Sequence, residues 1–166
     1  MTSGNERAYG GTRSFSSLRR KLMRHKKSLI AMIAVVSLIV VYLAFKFVRV
    51  AYYNRGTAHM AKAEYDQAIR CFDKAIKIST RFAQAYCNRG TAYYEKGQYD
   101  RAILDFDKAI EIDPRCAEAY CNRAVAYYQR AEYDKARQDV EQAQTFGSNV
   151  DPTFLAALRE ASETER

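Results

Sequence analysis

Residues 85–118 read AYCNRGTAYYEKGQYDRAILDFDKAIEIDPRCAE. Ala85, Tyr86, Ala92 and Tyr93 share one face of a first helical pattern. Ala102, Ile103, Phe106, Ala109 and Ile110 recur at three-four spacing in a second. Lys96-Gly97-Gln98 separates the two as a turn, and Asp113-Pro114 ends the second, because proline cannot continue a helix. Gly90, Ala102 and Ala109 are small where two helices must approach closely, and Tyr86, Tyr93, Tyr99 and Phe106 fill the space left between them. The stretch is a helical hairpin.

A lone hairpin cannot bury its apolar side, and the chain supplies more than one. Residues 51–84 match residues 85–118 at twenty of thirty-four positions, where chance gives about two. Residues 119–152 repeat the pattern with thirteen identities to the block before. Stacking three units is the stable solution. Divergence in the last is expected of a terminal unit, which faces solvent or a cap instead of another repeat.

The pattern resembles the tetratricopeptide repeat (TPR) family. The family's marker residues correspond in the second unit to Tyr86, Gly90, Tyr93, Ala102, Phe106, Ala109 and Pro114. They are Tyr52, Gly56, His59, Ala68, Phe72, Ala75 and Thr80 in the first, and Tyr120, Ala124, Tyr127, Ala136, Val140, Ala143 and Ser148 in the third. His59, Thr80, Val140 and Ser148 depart from the family pattern, all in the outer units. The resemblance implies an all-α solenoid of three helix-turn-helix repeats at 49–82, 83–116 and 117–150. Gly147-Ser148-Asn149 then marks a break and Asp151-Pro152 a helix start. Phe154, Leu155, Leu158 and Ala161 fall on one side of the helix that follows, which reads as a capping helix and tail over 151–166.

Ahead of the repeats the chemistry changes. Of the 166 residues, the first fifty hold ten Lys/Arg against Glu6, while the remainder is nearly balanced, so the net charge of +8 belongs to one end. That asymmetry argues against a nucleic-acid-binding domain. Residues 1–27 read as a basic, disordered cytoplasmic tail ending in Arg19, Arg20, Lys21, Arg24, His25, Lys26 and Lys27. Ser28 to Phe45 carries no charge, and a helix over 28–48 is about 31 Å long, close to a bilayer core. A soluble helix would need a polar face, and a signal peptide a shorter apolar run with a small-residue cleavage site. The expectation is a single transmembrane helix with the N-terminus cytoplasmic and the repeats across the membrane, because the cations precede it. Without proline or glycine from Ser28 to Arg55, that helix is expected to continue into the first repeat and hold it near the bilayer.

Catalytic and metal chemistry find little support. Cys71, Cys87, Cys116 and Cys121 match no zinc spacing, and His25 and His59 are the only histidines. Cys87 and Cys121 occupy one position in adjacent units, about 8–10 Å apart on stacked helices and beyond disulfide reach. Free thiols are expected, which sits uneasily with an oxidising exterior. His59 reads as packing in place of a tyrosine. Asp66, Asp100 and Asp134 recur after Tyr65, Tyr99 and Tyr133 and read as caps of the second helices. No cofactor is implied.

The resemblance implies a concave groove lined by the first helix of each repeat. Its residues here are Tyr53, Asn54 and Thr57, then Cys87, Asn88, Thr91 and Tyr94, then Cys121, Asn122, Val125 and Tyr128. The carboxylate clamp of TPR co-chaperones corresponds to Tyr53, Thr57, Asn88, Glu118 and Asn122; only Asn88 fits, so binding of acidic chaperone tails is not expected. Asn54, Asn88 and Asn122 resemble the asparagine ladder of O-linked N-acetylglucosamine transferases, which grips a peptide backbone. A side-chain amide offers both donor and acceptor for that purpose, or for local support of the repeat. Arg55, Arg89 and Arg123 read as partners of nearby acids. The functional expectation is a non-catalytic, membrane-anchored scaffold binding an extended segment of a membrane or envelope protein. A cytosol-facing organelle-surface receptor and a thiol enzyme are the alternatives.

Overall fold

The computed structural model describes residues 11–164, which form seven α-helices and no strand. They are α1 (Gly11–Met60), α2 (Tyr65–Ile78), α3 (Ala83–Glu95), α4 (Tyr99–Ile112), α5 (Ala117–Gln129), α6 (Tyr133–Thr145) and α7 (Pro152–Thr164). The chain divides into two compact units, Met1–Phe45 and Lys46–Arg166.

The first unit is helical from Gly11 onward. Residues 11–27, expected as part of a disordered tail, are drawn as helix here, and residues 1–10 lie outside the described residues. The cause is local, because Leu18 to Met23 are strong helix formers and no proline or glycine interrupts them. Along 28–48 every side chain is exposed, with Ile30 at 66% and Leu38 at 70%. Among the described residues, this is the one helix long and apolar enough to cross a membrane, judged by length and composition.

In the second unit, helices α2 to α7 pack each on the next in chain order. The interior is built mainly from alanines, with branched aliphatic side chains and two fully buried rings, Phe72 and Phe106. Each repeat turns in the same way. The Gln98 N–H donates to the Tyr93 carbonyl at 2.9 Å and the Gly97 N–H to that of Tyr94 at 2.8 Å, closing the end of α3 around a left-handed residue. Gly97 has φ of 70°, and the corresponding Ala63 and Ala131 adopt 55° and 58°. Helix α7 closes the array: Leu158 is buried and Phe154 lies 5.6 Å from the Tyr128 ring.

The recurrent aspartates are not caps. Glu64, Gln98 and Glu132 occupy the N-cap positions of α2, α4 and α6, without side-chain cap hydrogen bonds. Asp66, Asp100 and Asp134 sit within the first turn, where a negative charge suits the helix N-terminus. Asp66 pairs with Lys96 and Asp100 with Arg130, each a cation of the following repeat. Asp134 has no following repeat and pairs with Arg137 of its own helix at 2.6 Å.

Candidate functional site

The first helices of adjacent repeats meet in a constant register. Asn88 Nδ2 donates to the Tyr53 hydroxyl at 3.1 Å, Asn122 Nδ2 to Cys87 Sγ at 3.7 Å, and Gln129 Nε2 to the Tyr94 hydroxyl at 3.3 Å. Each pair is thirty-five residues apart. Asn122 also donates to Thr91 Oγ1 at 3.3 Å, and Thr91 donates to the Cys87 carbonyl. Two of the three ladder asparagines therefore direct amide protons onto the preceding repeat. Asn54 has no repeat ahead of it and is exposed, with its carbonyl accepting from Thr57 Oγ1 at 2.8 Å.

The remaining expected groove residues are half-buried. The Tyr53 ring packs on Phe72 and Phe82, Tyr94 on Tyr99, and Tyr128 on Tyr133. Cys121 Sγ lies 3.1 Å from Ser148 Oγ, and Val125 is half-buried. Cys87 is the exception. It is 1% exposed and belongs to a cluster with Ala102, Phe106, Ala119 and Ala126, so it does not present its thiol to a ligand in the groove. A third repeat stacked over its position buries it.

Behind this face lies a charged seam. Arg89 donates through Nε and Nη2 to both carboxylate oxygens of Asp105 at 2.7 and 2.6 Å, and through Nη1 to Asp73 of the preceding repeat. Arg123 repeats this with Asp139 and Asp107. Burial pushes the Asp105 carboxyl above its ordinary range, and the Arg89 guanidinium pulls against it. Arg55 holds the same place in the first repeat, but Cys71 stands where the acid would be, and Arg55 is exposed.

The cysteines are free. Cys116, at the N-cap of α5, packs against the cluster that contains Cys87, and each thiol shifts the titration of the other. Twenty-nine residues separate them, so the repeat spacing that linked Cys87 to Cys121 gave no sign of this pair; only the path of the chain back from α4 to α5 creates it. The proximity of the two thiols holds Cys116 down at about 6 and pushes Cys87 up, with burial adding to the latter. The Ala119 N–H also lowers Cys116, in a contact too loose for a capping hydrogen bond. His59 Nδ1 lies 2.5 Å from Glu64 Oε2. Among the described residues, no group of three His, Cys, Asp or Glu side chains could hold a metal ion.

Family models described as TPR repeat match residues 56–97 and 90–130, and one described as tetratricopeptide repeat matches 117–146. The chain belongs to the tetratricopeptide repeat family. The TPR2B domain of yeast Sti1, solved as a pHsp70 complex, is 25% identical, with a TM-score of 0.65 over 72% of this chain and 99% of that one. MamA is 32% identical with a TM-score of 0.57, over 59% of this chain and 57% of that one. The Arabidopsis OM64 TPR domain, at 24% identity, shares the fold with a TM-score of 0.67 over 70% and 98% of the two chains. No curated protein matches the sequence. The TPR array thus accounts for the repeat-to-repeat register and for the arginine seam behind it.

Proposed function

We propose that this TPR protein is a membrane-anchored, non-catalytic adaptor that binds an extended segment of a partner protein along the first helices of its repeats. The carrying observation is structural kinship with a TPR domain solved as a pHsp70 complex, joined to a first-helix face rich in amide, hydroxyl and aromatic side chains and free of Lys and Arg. Asn54 offers an unshared amide at one end of that face. Tyr94 and Tyr128 offer half-buried rings, amphipathic surfaces suited to peptide contact. Glu118, exposed where the family's clamp holds a cation, repels acidic tails, so the partner segment is not an acidic one.

Anchoring rests on the exposed apolar run at 28–48, which has no polar face to turn toward water. The cationic cluster before it favours a cytoplasmic N-terminus with the array on the opposite side, where membrane and envelope proteins are the available partners. Four free cysteines favour a second reading, in which the array faces the cytosol as an organelle-surface receptor.

A photocrosslinker at Asn54 in the full chain, in native membranes resistant to alkaline extraction, should capture a partner. The same probe at Leu104, exposed on a second helix, should not. Equal capture at both positions would refute the groove. Alkylation of sealed vesicles from each side decides the topology.

A further inference from the structure

The strongest unassigned feature is a pair of thiols outside the peptide face. Cys87 is sealed inside the second repeat, while Cys116 is half-buried at the start of α5, where the chain enters the third. Both pack into one cluster, with Ala102, Phe106 and Ala119 around them. The arrangement is asymmetric in the way dithiol chemistry requires. Cys116 is partly exposed at a helix N-terminus, and Cys87 is sealed in the cluster against which Cys116 packs. Cys71 and Cys121 lack this relationship: Cys121 faces Ser148, and Cys71 stands in the place taken by Asp105 in the next repeat.

We propose that Cys87 and Cys116 form a redox-active dithiol, which a low-molecular-weight disulfide oxidises to an internal disulfide bridging the second and third repeats. In the first step the Cys116 thiolate attacks the small disulfide. A new S–S bond joins Cys116 to one half, and the other half leaves as a thiolate. Cys87 then loses its proton to solvent or to that thiolate and attacks Cys116 Sγ, expelling the second half. Two protein thiols are oxidised, one small disulfide is reduced to two thiols, and two electrons pass between them.

The position gives the bond a structural consequence. Cys87 Sγ accepts from Asn122, which also holds Thr91. Cross-linking Cys87 draws its sulfur toward Cys116 and weakens the Asn122 contact, so the oxidation state of the pair reaches the asparagine face. Thiolate formation at Cys116 supports the first step near neutral pH, since its thiol lies at about 6.

The deciding experiment uses the full-length wild-type chain in detergent, equilibrated with oxidised and reduced glutathione. The mixture is quenched in acid, alkylated under denaturing conditions and mapped by peptide mass. A Cys87–Cys116 linked peptide should form with oxidised glutathione and disappear with reduced glutathione. In Cys87→Ala, glutathione should instead accumulate on Cys116, at least tenfold above the wild-type level. A stable glutathione adduct on Cys116 of the wild-type chain with Cys87 still alkylatable would overturn the proposal, as would linkage of Cys87 to Cys71 or Cys121. Wild-type iodoacetamide labelling of Cys116 at limiting reagent, rising with a midpoint near pH 6, supports the thiolate step; a midpoint above pH 8 would overturn it.

Discussion

The Phe106 ring covers Gly90 so closely that a Cβ on Gly90 would lie 2.7 Å from Phe106 Cε1. Gly56 stands in the same relation to Phe72, at 2.5 Å. In the third repeat the corresponding residues are Ala124 and Val140. Where the ring shrinks to a valine, the glycine gains a methyl, and both members of the pair remain buried.

Gly90→Ala should therefore destabilise the array by about 1–2 kcal/mol, even though alanine favours a helix by up to about 1 kcal/mol. Phe106 is fully buried and has no flexible end to move aside. Adding Phe106→Val recreates the third-repeat pair, so double-mutant denaturation should reveal a favourable coupling between the two changes. Strict additivity would contradict the close contact.

Asp105 is 6% exposed and depends on Arg89. Arg89→Met should cost about 3–5 kcal/mol at neutral pH, because it strands a buried carboxylate. Burial then raises the carboxyl unopposed, so the folded variant holds a proton that the unfolded chain releases. Its stability is greatest below the ordinary Asp value of 3.8 and falls as pH rises through the raised one. Urea titrations at about pH 5 and about pH 7 should show the deficit shrinking in acid. Arg55→Met, in an exposed position whose repeat-equivalent acid is replaced by Cys71, should stay within about 0.5 kcal/mol of wild type.

Ala131 carries a left-handed backbone, φ 58°, where the second repeat has Gly97. Ala131→Gly should stabilise the array by about 1 kcal/mol, contrary to the usual effect of glycine, since it relieves the Cβ contact of that conformation. A calorimetric Tm that falls would show that the turn does not hold this geometry in solution.

The ladder asparagines separate into two kinds. Asn122→Ala removes hydrogen bonds to Cys87 and Thr91 and should cost about 1 kcal/mol of stability. Asn54→Ala touches no neighbouring repeat and should change stability by less than about 0.5 kcal/mol while weakening partner capture. If stability falls equally in both, Asn54 has a supporting role and the binding assignment fails.

Much of this was readable from the sequence. The thirty-four-residue period, the recurring small and large apolar positions and the Asp113-Pro114 stop dictated helical hairpins, because each is a local rule of backbone or packing. The terminal helix was equally legible from Phe154, Leu155 and Leu158.

Partners across the stack were not legible. The first-helix face reads as a row of groove residues in a list, yet stacking turns Asn88 and Asn122 into clasps and seals Cys87 within the core. Asp66 and Asp100 look like helix caps until the next repeat brings Lys96 and Arg130 to them. The repeat itself follows from short-range preferences written into every unit. Which side chain meets which depends on the register between units, a distance relationship that only folding in three dimensions fixes.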